Sequence, residues 1–500
     1  MKKGLIYTMV AASLFTVSCG DDFLEPTRNT SVLTSADLAT AAELNPALVA
    51  GTLDGIGSYL IAPRGTLGTA NNRHYDFGQK GVDIFLDMLS GDMALSSNGY
   101  GWYQNTANLV STVDYTRDEN RLIWQYYYKV ISSANEVIKT VGGNDVVPES
   151  PEVKYILGQA KAYRAYGYFY LAQIFQRGYD ANQEILPFTD GDEVIAAKVP
   201  ASKIYELIVS DLTQSIQLLD GFERTLKSQV NKTVAQGLLA YTYASMGDYA
   251  NAKIVSDQIV NSGAFPLTTK GQLAFPGNGS GFNDASTQSW IWGYDITSDM
   301  GHQLIDWWGQ VDYFTYSYAF AGDRKSIDTG LYAAIPANDV RKTQFGTSGT
   351  TALMPINKFF DPGRTPGGQQ TITTDLVFMR VEEFYLLSAE AAAKSGNEAD
   401  AKTTLKTLLE SRLGSAANAA AYVDALSGPA LVNAIYLQTR IEMWGEGKSY
   451  LAMKRNQATS TRGTNHVFRA GESFNYNADE LSFEIPKFEL DNNPSITTQN

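Results

Sequence analysis

The chain carries one tight-turn pattern twice, Gly247-Asp248-Tyr249-Ala250-Asn251-Ala252 and Gly396-Asn397-Glu398-Ala399-Asp400-Ala401, each time between two stretches of helical period. Before the first turn, Val234, Leu238, Leu239 and Tyr241 mark an apolar face, and after it Ala252, Val255 and Ile259 mark another. Phe384, Leu387 and Ala391, then Ala401, Leu405 and Leu408, do the same around the second. Apolar residues recurring three and four apart belong to amphipathic helices. Gly can close the first helix at a left-handed backbone position that other residues enter only with strain, and a small Ala at the crossing lets the paired helices approach closely. The repeated unit is therefore helix, turn, helix.

Further helical periods run over about 117–141, 151–175, 202–219 and 431–455. Pro151 after Ser150, and Ser202 before Ile204, Leu207 and Ile208, supply start signals. About eight long helices in roughly four pairs resemble tetratricopeptide repeats. The expected fold is mainly α, an α-solenoid of about four such pairs, with repeats over about 117–263 and 376–456. Between about 268 and 375 the character changes to Gly, Ser, Thr, Asn and aromatic residues, punctuated by Gly277-Asn278-Gly279, Asp361-Pro362-Gly363 and Pro366-Gly367-Gly368. Loops that long in an ordered protein are uncommon unless functional, so this stretch is read as a large, loop-rich, ligand-facing insertion.

At the amino terminus, Lys2 and Lys3 precede an apolar stretch from Leu5 to Val17, small Ser18 and the chain's single cysteine, Cys19. That is the build of a secretory signal over residues 1–18, too short to span about 30 Å of hydrocarbon. Cys19 is the expected acylation site, although Thr16 stands where Leu is commonest in a lipobox. Several acyl chains, each burying CH₂ groups at about 0.8 kcal/mol apiece, would hold residues 19–500 on a membrane as one anchored domain. The formal charge of −14 offers no basic footprint for nucleic acid. With one cysteine there is no disulfide framework, so stability must come from a packed core, for which 44% hydrophobic residues suffice.

Several motifs occur in a recognisable order. Gly158, Ala160, Arg164, Ala165, Phe169 and Leu171 come first, followed by Arg380-Val381-Glu382-Glu383-Phe384-Tyr385-Leu386-Leu387-Ser388-Ala389-Glu390-Ala391. Arg440, Glu442, Glu446, Gly447 and Arg455 come next, then Ile485-Pro486 with Glu489, Asn493 and Pro494. Together they resemble the SusD/RagB family of starch-utilisation-type outer-membrane lipoproteins over nearly the whole chain after residue 18. The acidic Asp21-Asp22-Phe23-Leu24-Glu25 resembles the surface-export signal of such lipoproteins. Three positions depart from the family pattern: Gln159 replaces Glu, and Ser449 and Ala452 replace an Arg and an Asp. Losing both members of a buried pair leaves no uncompensated charge, whereas losing one costs about 3–5 kcal/mol, which favours a structural role for that pair.

For catalysis the sequence offers little. Glycoside hydrolysis needs two carboxylates flanking the bond, one with a raised pKa. Glu383 and Glu390 lie on one helix face, where salt bridges to arginines such as Arg380 or Arg412 are the expected role, and Asp83, Asp87 and Asp92 could as easily cap or solvate a helix as bind metal. The three histidines, His74, His302 and His466, lack metal-ligand spacing. No catalytic residue, metal or cofactor is expected.

Aromatic residues are the informative surplus. Two clusters have a loop's composition: Asn98, Tyr100, Trp102 and Tyr103 in one, and Trp290, Trp292, Trp307, Trp308, Tyr313 and Tyr316 in the other. The C–H face of a sugar ring suits an indole or phenol platform, and its hydroxyl edges suit amides and charged groups. The alternative for the second cluster is packing of the insertion onto the solenoid or contact with a partner. The resemblance implies a glycan site in these loops without fixing which residues form it. It also implies a SusC-like TonB-dependent transporter as partner, an oligosaccharide or polysaccharide as ligand, and a lipid-anchored place on the outer-membrane surface. Receptors for peptide or glycoprotein-derived ligands occupy the same class, and a surface glycoside hydrolase is the further alternative.

Overall fold

The computed structural model describes residues 45–277 and 280–500. The expected signal peptide, Cys19 and the acidic segment lie outside these residues. The fold is mainly α. The helices used below are α1 (Ala47–Tyr59), α2 (Gln79–Leu89), α3 (Asp118–Thr140), α4 (Pro151–Phe175), α5 (Ala201–Leu218), α6 (Lys232–Ser245), α7 (Tyr249–Val260), α8 (Glu382–Lys394), α9 (Glu398–Leu413), α10 (Gly428–Glu442) and α11 (Lys448–Arg455).

The two repeated turns join α6 to α7 and α8 to α9. Gly247 and Gly396 adopt φ of +78° and +82°. The following Asp248 and Asn397 cap the next helix by accepting the backbone N–H groups of Asn251 and Asp400. One dipeptide thus ends one helix in the left-handed region and satisfies an orphan donor of the next. Ser150 likewise caps α4, with Pro151 at its first turn.

Helices α3 to α7 pack in sequence, each on the one before, and α7 packs directly against α8. The solenoid therefore continues across the insertion as if the intervening segment were looped out. Sequence periodicity suggests one helix over 431–455, but α10 ends at Glu442 and α11 begins at Lys448. Gly445 and Gly447 between them adopt φ of +83° and +72°, which breaks the helix. At Gly447 the backbone approaches Asp83 of α2 so closely that an added Cβ would lie 2.4 Å from its carboxylate oxygen.

The insertion is rooted by a short antiparallel pair, Trp290–Tyr294 with Leu376–Arg380, and by a buried ionic cluster. Arg380 donates to Glu442 (2.8 Å) and Glu446 (2.8 Å), and Arg412 to Glu442 (2.7 Å). From the insertion, Arg341 reaches Glu442 (3.0 Å) and Lys358 reaches Glu446 (2.9 Å). Burial alone would raise the Glu446 carboxyl, but Arg380 and Lys358 override it and bring it down to about 2. Arg164 is similarly tied to Asp211 (2.7 Å). The charged motif residues Arg164, Arg380, Glu442 and Glu446 are thus tied into buried ion pairs that lock helix to helix.

Candidate ligand-binding site

The paired strands Met93–Leu95 and Lys325–Ile327 place two distant loops side by side. Beyond the strands the ladder continues, with Ser96 N–H donating to Arg324 C=O (2.8 Å) and Arg324 N–H to Ser97 C=O (2.9 Å). Asp323 then accepts two backbone N–H groups from the facing loop, from Tyr100 (2.6 Å) and Trp102 (3.1 Å). Gly101 between them adopts φ of +86°, a conformation that admits the turn. One carboxylate therefore sets the direction of two aromatic side chains.

Tyr100 is 61% exposed, its ring edge-on to Tyr318 at 5.3 Å. Trp102 is half-buried, with one indole face covered by the His74 imidazole at 4.6 Å and an interplanar angle of 6°. His74 Nδ1 is within 2.5 Å of the Tyr318 hydroxyl, which fixes the imidazole and with it the indole. Burial pushes His74 below the usual imidazole range, with Arg64 adding to the effect. Tyr316, 52% exposed, extends the aromatic surface from the second loop, and half-buried Tyr313 packs on Phe320 at 5.6 Å. Asn98 donates to Gln104 (2.9 Å), while its side-chain oxygen has no partner among the described residues.

A cavity of about 350 Å³ opens beside Trp102, walled by Arg73, Tyr75, Asn105, Arg117, Asp118 and Glu119. Arg73 donates to Asp118 (2.8 Å), and Asn105 to Glu119 (3.0 Å). Burial raises the Glu119 carboxyl. Asp118 and Glu119 are consecutive residues at the start of α3, each already engaged, and do not form an opposed acid and nucleophile pair. An indole edge above guanidinium, carboxylate and amide groups can seat a sugar ring and bind its hydroxyls.

Five of the aromatic candidates are core residues. Trp290 is fully buried and donates its indole N–H to Gly281 C=O (2.7 Å). Trp292 donates to Ser228 C=O (2.9 Å) and packs on Phe378 and Tyr166. Trp307 and Trp308 are buried edge-to-face at 5.0 Å, and Phe359 covers Trp307 at 4.6 Å. Tyr103 is buried against Phe85 and Tyr75. These five rings fill the interior between insertion and solenoid and offer no open face to a ligand, a correction to the sequence expectation. The structure brings together Asn98, Tyr100, Trp102 and Tyr316 instead, and adds His74, Arg73, Asn105, Glu119, Tyr318 and Asp323. His74 and Tyr318 lie 244 positions apart, so no local pattern connects them.

The former carboxylate candidates are structural. Glu390 pairs with Arg455 (3.1 Å) and Lys394 (3.2 Å), rather than with Arg380 or Arg412. Glu383 accepts the Arg380 backbone N–H (2.9 Å) and the Tyr241 hydroxyl (2.8 Å). Asp83 pairs with Lys80, and Asp92 with Arg440. Among the described residues no group of three or more His, Cys, Asp or Glu is placed to hold a metal, and no helix is long and apolar enough to cross a membrane.

Two family models match the chain. One, described as "Starch-binding associating with outer membrane" (SusD-like), matches residues 70–244, and the other, the SusD family (SusD/RagB), matches residues 282–500. No curated protein matches. Among solved structures, a SusD-like carbohydrate binding protein from Bacteroides vulgatus superposes with a TM-score of 0.72 at 22% identity, over 90% of this chain and 96% of that one. A SusD superfamily protein from Bacteroides fragilis gives 0.69 at 23% identity, covering 91% and 99%. Surface glycan-binding protein A from Bacteroides thetaiotaomicron gives 0.65 at 16% identity, covering 91% and 98%. At these identities the likeness is one of fold.

Proposed function

The chain belongs to the SusD/RagB family, and from that premise we propose that it is a surface lipoprotein that captures an oligosaccharide or polysaccharide and delivers it to a SusC-like TonB-dependent transporter. The observation that carries this reading is the Tyr100–Trp102 turn. Its two rings are held outward by Asp323 and His74 above a polar cavity, in loops otherwise rich in hydrogen-bonding groups. Rigid aromatic faces bind a sugar's C–H surface with little ordering entropy left to lose, and Arg73, Asn105 and Asn98 offer partners for its hydroxyls. The fold neighbours described as carbohydrate- and glycan-binding proteins support the same ligand class. Anchoring through Cys19 rests on the leader sequence, and the transporter on family membership.

Binding, rather than turnover, is the work proposed. Glu390 and Asp118 are ion-paired, and Glu383 is hydrogen-bonded, within the fold. Affinity electrophoresis against a panel of soluble polysaccharides tests the reading: at least one glycan retards the protein, and Trp102→Ala weakens the retardation. Retardation by none, together with binding of peptides, would replace the glycan with a peptide ligand.

A further inference from the structure

A cavity of about 900 Å³ lies apart from the aromatic site. It lies at the root of the insertion, between the segment Pro266–Phe275, the segment Asn283–Ser289 and the stretch around Phe360–Arg364. Three carboxylates face it, from Asp284, Asp295 and Asp375. Asp375 is fixed by accepting the backbone N–H groups of Ala285 (2.6 Å) and Ile296 (2.9 Å). Burial, then Asp295 and Asp284, push its carboxyl up to about 6. A fixed carboxylate raised first by burial and then by two like-charged neighbours is one that a cation would relieve.

The one basic side chain in the lining is Arg364, and its guanidinium is already engaged. It stacks on Phe275 at 3.8 Å, Phe314 at 4.4 Å and Phe360 at 4.7 Å, and donates to Ile356 C=O (2.8 Å) and Asn357 (3.0 Å). Independently of the carboxylates, the Ser289 hydroxyl on the cavity wall is 1% exposed and has no hydrogen-bond partner among the described residues. An unpaired buried hydroxyl costs about 1–3 kcal/mol, so a wall that retains one is a wall that a polar ligand can complete.

We propose that this cleft is a second binding site, for a polyhydroxylated ligand bearing a protonated amine: an amino-sugar unit, its ammonium against Asp375 and Asp295 and a hydroxyl on Ser289. The exposed edge of Phe275, whose ring Arg364 covers, adds apolar contact at the rim of the cleft. The surplus of negative charge rejects uronic or sulfated units.

The site is separable from the aromatic platform, so the experiment uses the full chain carrying Tyr100→Ala and Trp102→Ala. Isothermal titration with a glucosamine oligosaccharide shows binding in that background, and the N-acetylated and the glucose oligosaccharides of equal length bind at least about tenfold more weakly. Adding Asp375→Asn weakens binding about tenfold, as expected for loss of a charged hydrogen-bond partner. Asp295→Asn, exposed and free of backbone contacts that the fold needs, weakens it about two- to fivefold. Equal binding of the N-acetylated oligosaccharide, or no effect of either carboxamide, overturns the assignment. So does loss of all binding in the Tyr100→Ala, Trp102→Ala background, which would return the ligand to the first site. A trilysine peptide that binds as tightly and is indifferent to Ser289→Ala overturns the amino sugar in favour of a peptide amine.

Discussion

Asp323 never meets the ligand in this account, yet replacing it should weaken binding. Its carboxylate accepts from Tyr100 N–H at 2.6 Å and Trp102 N–H at 3.1 Å, and these bonds hold the turn that presents both rings. A hydrogen bond to a charged group contributes about 1.5–3 kcal/mol. In Asp323→Asn one carbonyl oxygen remains for one amide, while the side-chain NH₂ faces the other. The loss is about one such bond, roughly 2 kcal/mol of local turn stability. A turn that must be re-ordered on binding transfers that loss to affinity, so up to about 30-fold weaker binding is expected at the aromatic site. Global unfolding is the poorer readout, since Asp323 is itself buried beside Lys325 and its loss of charge also reaches the core. Hydrogen exchange reads the first effect without any ligand: amides of residues 97–103 exchange faster in the variant, while those of α3 and α4 do not. Titration with the cognate glycan reads the second. Unchanged exchange at 97–103 with unchanged affinity would refute the claim that Asp323 sets the platform.

Other consequences follow from the interior. Glu442→Gln removes the anion shared by Arg341, Arg380 and Arg412; Asp339, Glu382 and Glu446 still pair with them, but the buried cluster is left with one net positive charge, so the change should destabilise by about 3–5 kcal/mol in denaturant unfolding. The Glu446 and Glu390 carboxyls are both brought down to about 2, against an ordinary value near 4.5; burial opposes this, and Arg380 with Lys358, and Arg455 with Lys394, overcome it. Groups depressed in the folded state add stability that is fully present above the unfolded value and is lost as pH falls through the folded one. Glu446 and Glu390 should therefore lower the melting temperature between about pH 4.5 and 2, and a flat profile there would contradict the pairing. Trp307→Ala empties a buried site beneath Phe359 and should cost about 3–5 kcal/mol of stability, in contrast to Trp102→Ala, whose main effect should be on binding.

How much of this was legible in the sequence depended on whether the signal was local. Pro151–Phe175 is read almost residue for residue, because Ser150, Pro151 and the apolar period lie within one stretch of chain. The two Gly-Asp and Gly-Asn turns were visible for the same reason. The break at Gly445–Gly447 was not, because Gly is tolerated within a helical pattern and only the approach to Asp83 shows why the helix ends there. Composition misplaced the tryptophans. Trp290–Tyr294 lies among Gly, Ser and Asn, as an exposed loop would, yet it forms a strand buried along its whole length. The half of the site contributed by Asn98, Tyr100 and Trp102 stood out as aromatics in a polar loop. Of the other half, Tyr318 and Asp323 are joined to it by strand pairing across more than two hundred residues, and His74 reaches Trp102 by a ring contact, neither of which a spacing rule reports.

The central claim is that this protein grips a glycan on the Tyr100–Trp102 platform. Isothermal titration of the full chain and of Trp102→Ala with the polysaccharide that retards it most tests this directly. Truncating an aromatic anchor at a binding surface costs upwards of about 1 kcal/mol, so affinity should be at least about fivefold weaker in the variant, with an unaltered melting temperature. Equal affinity in the two proteins would place the glycan elsewhere and contradict the account.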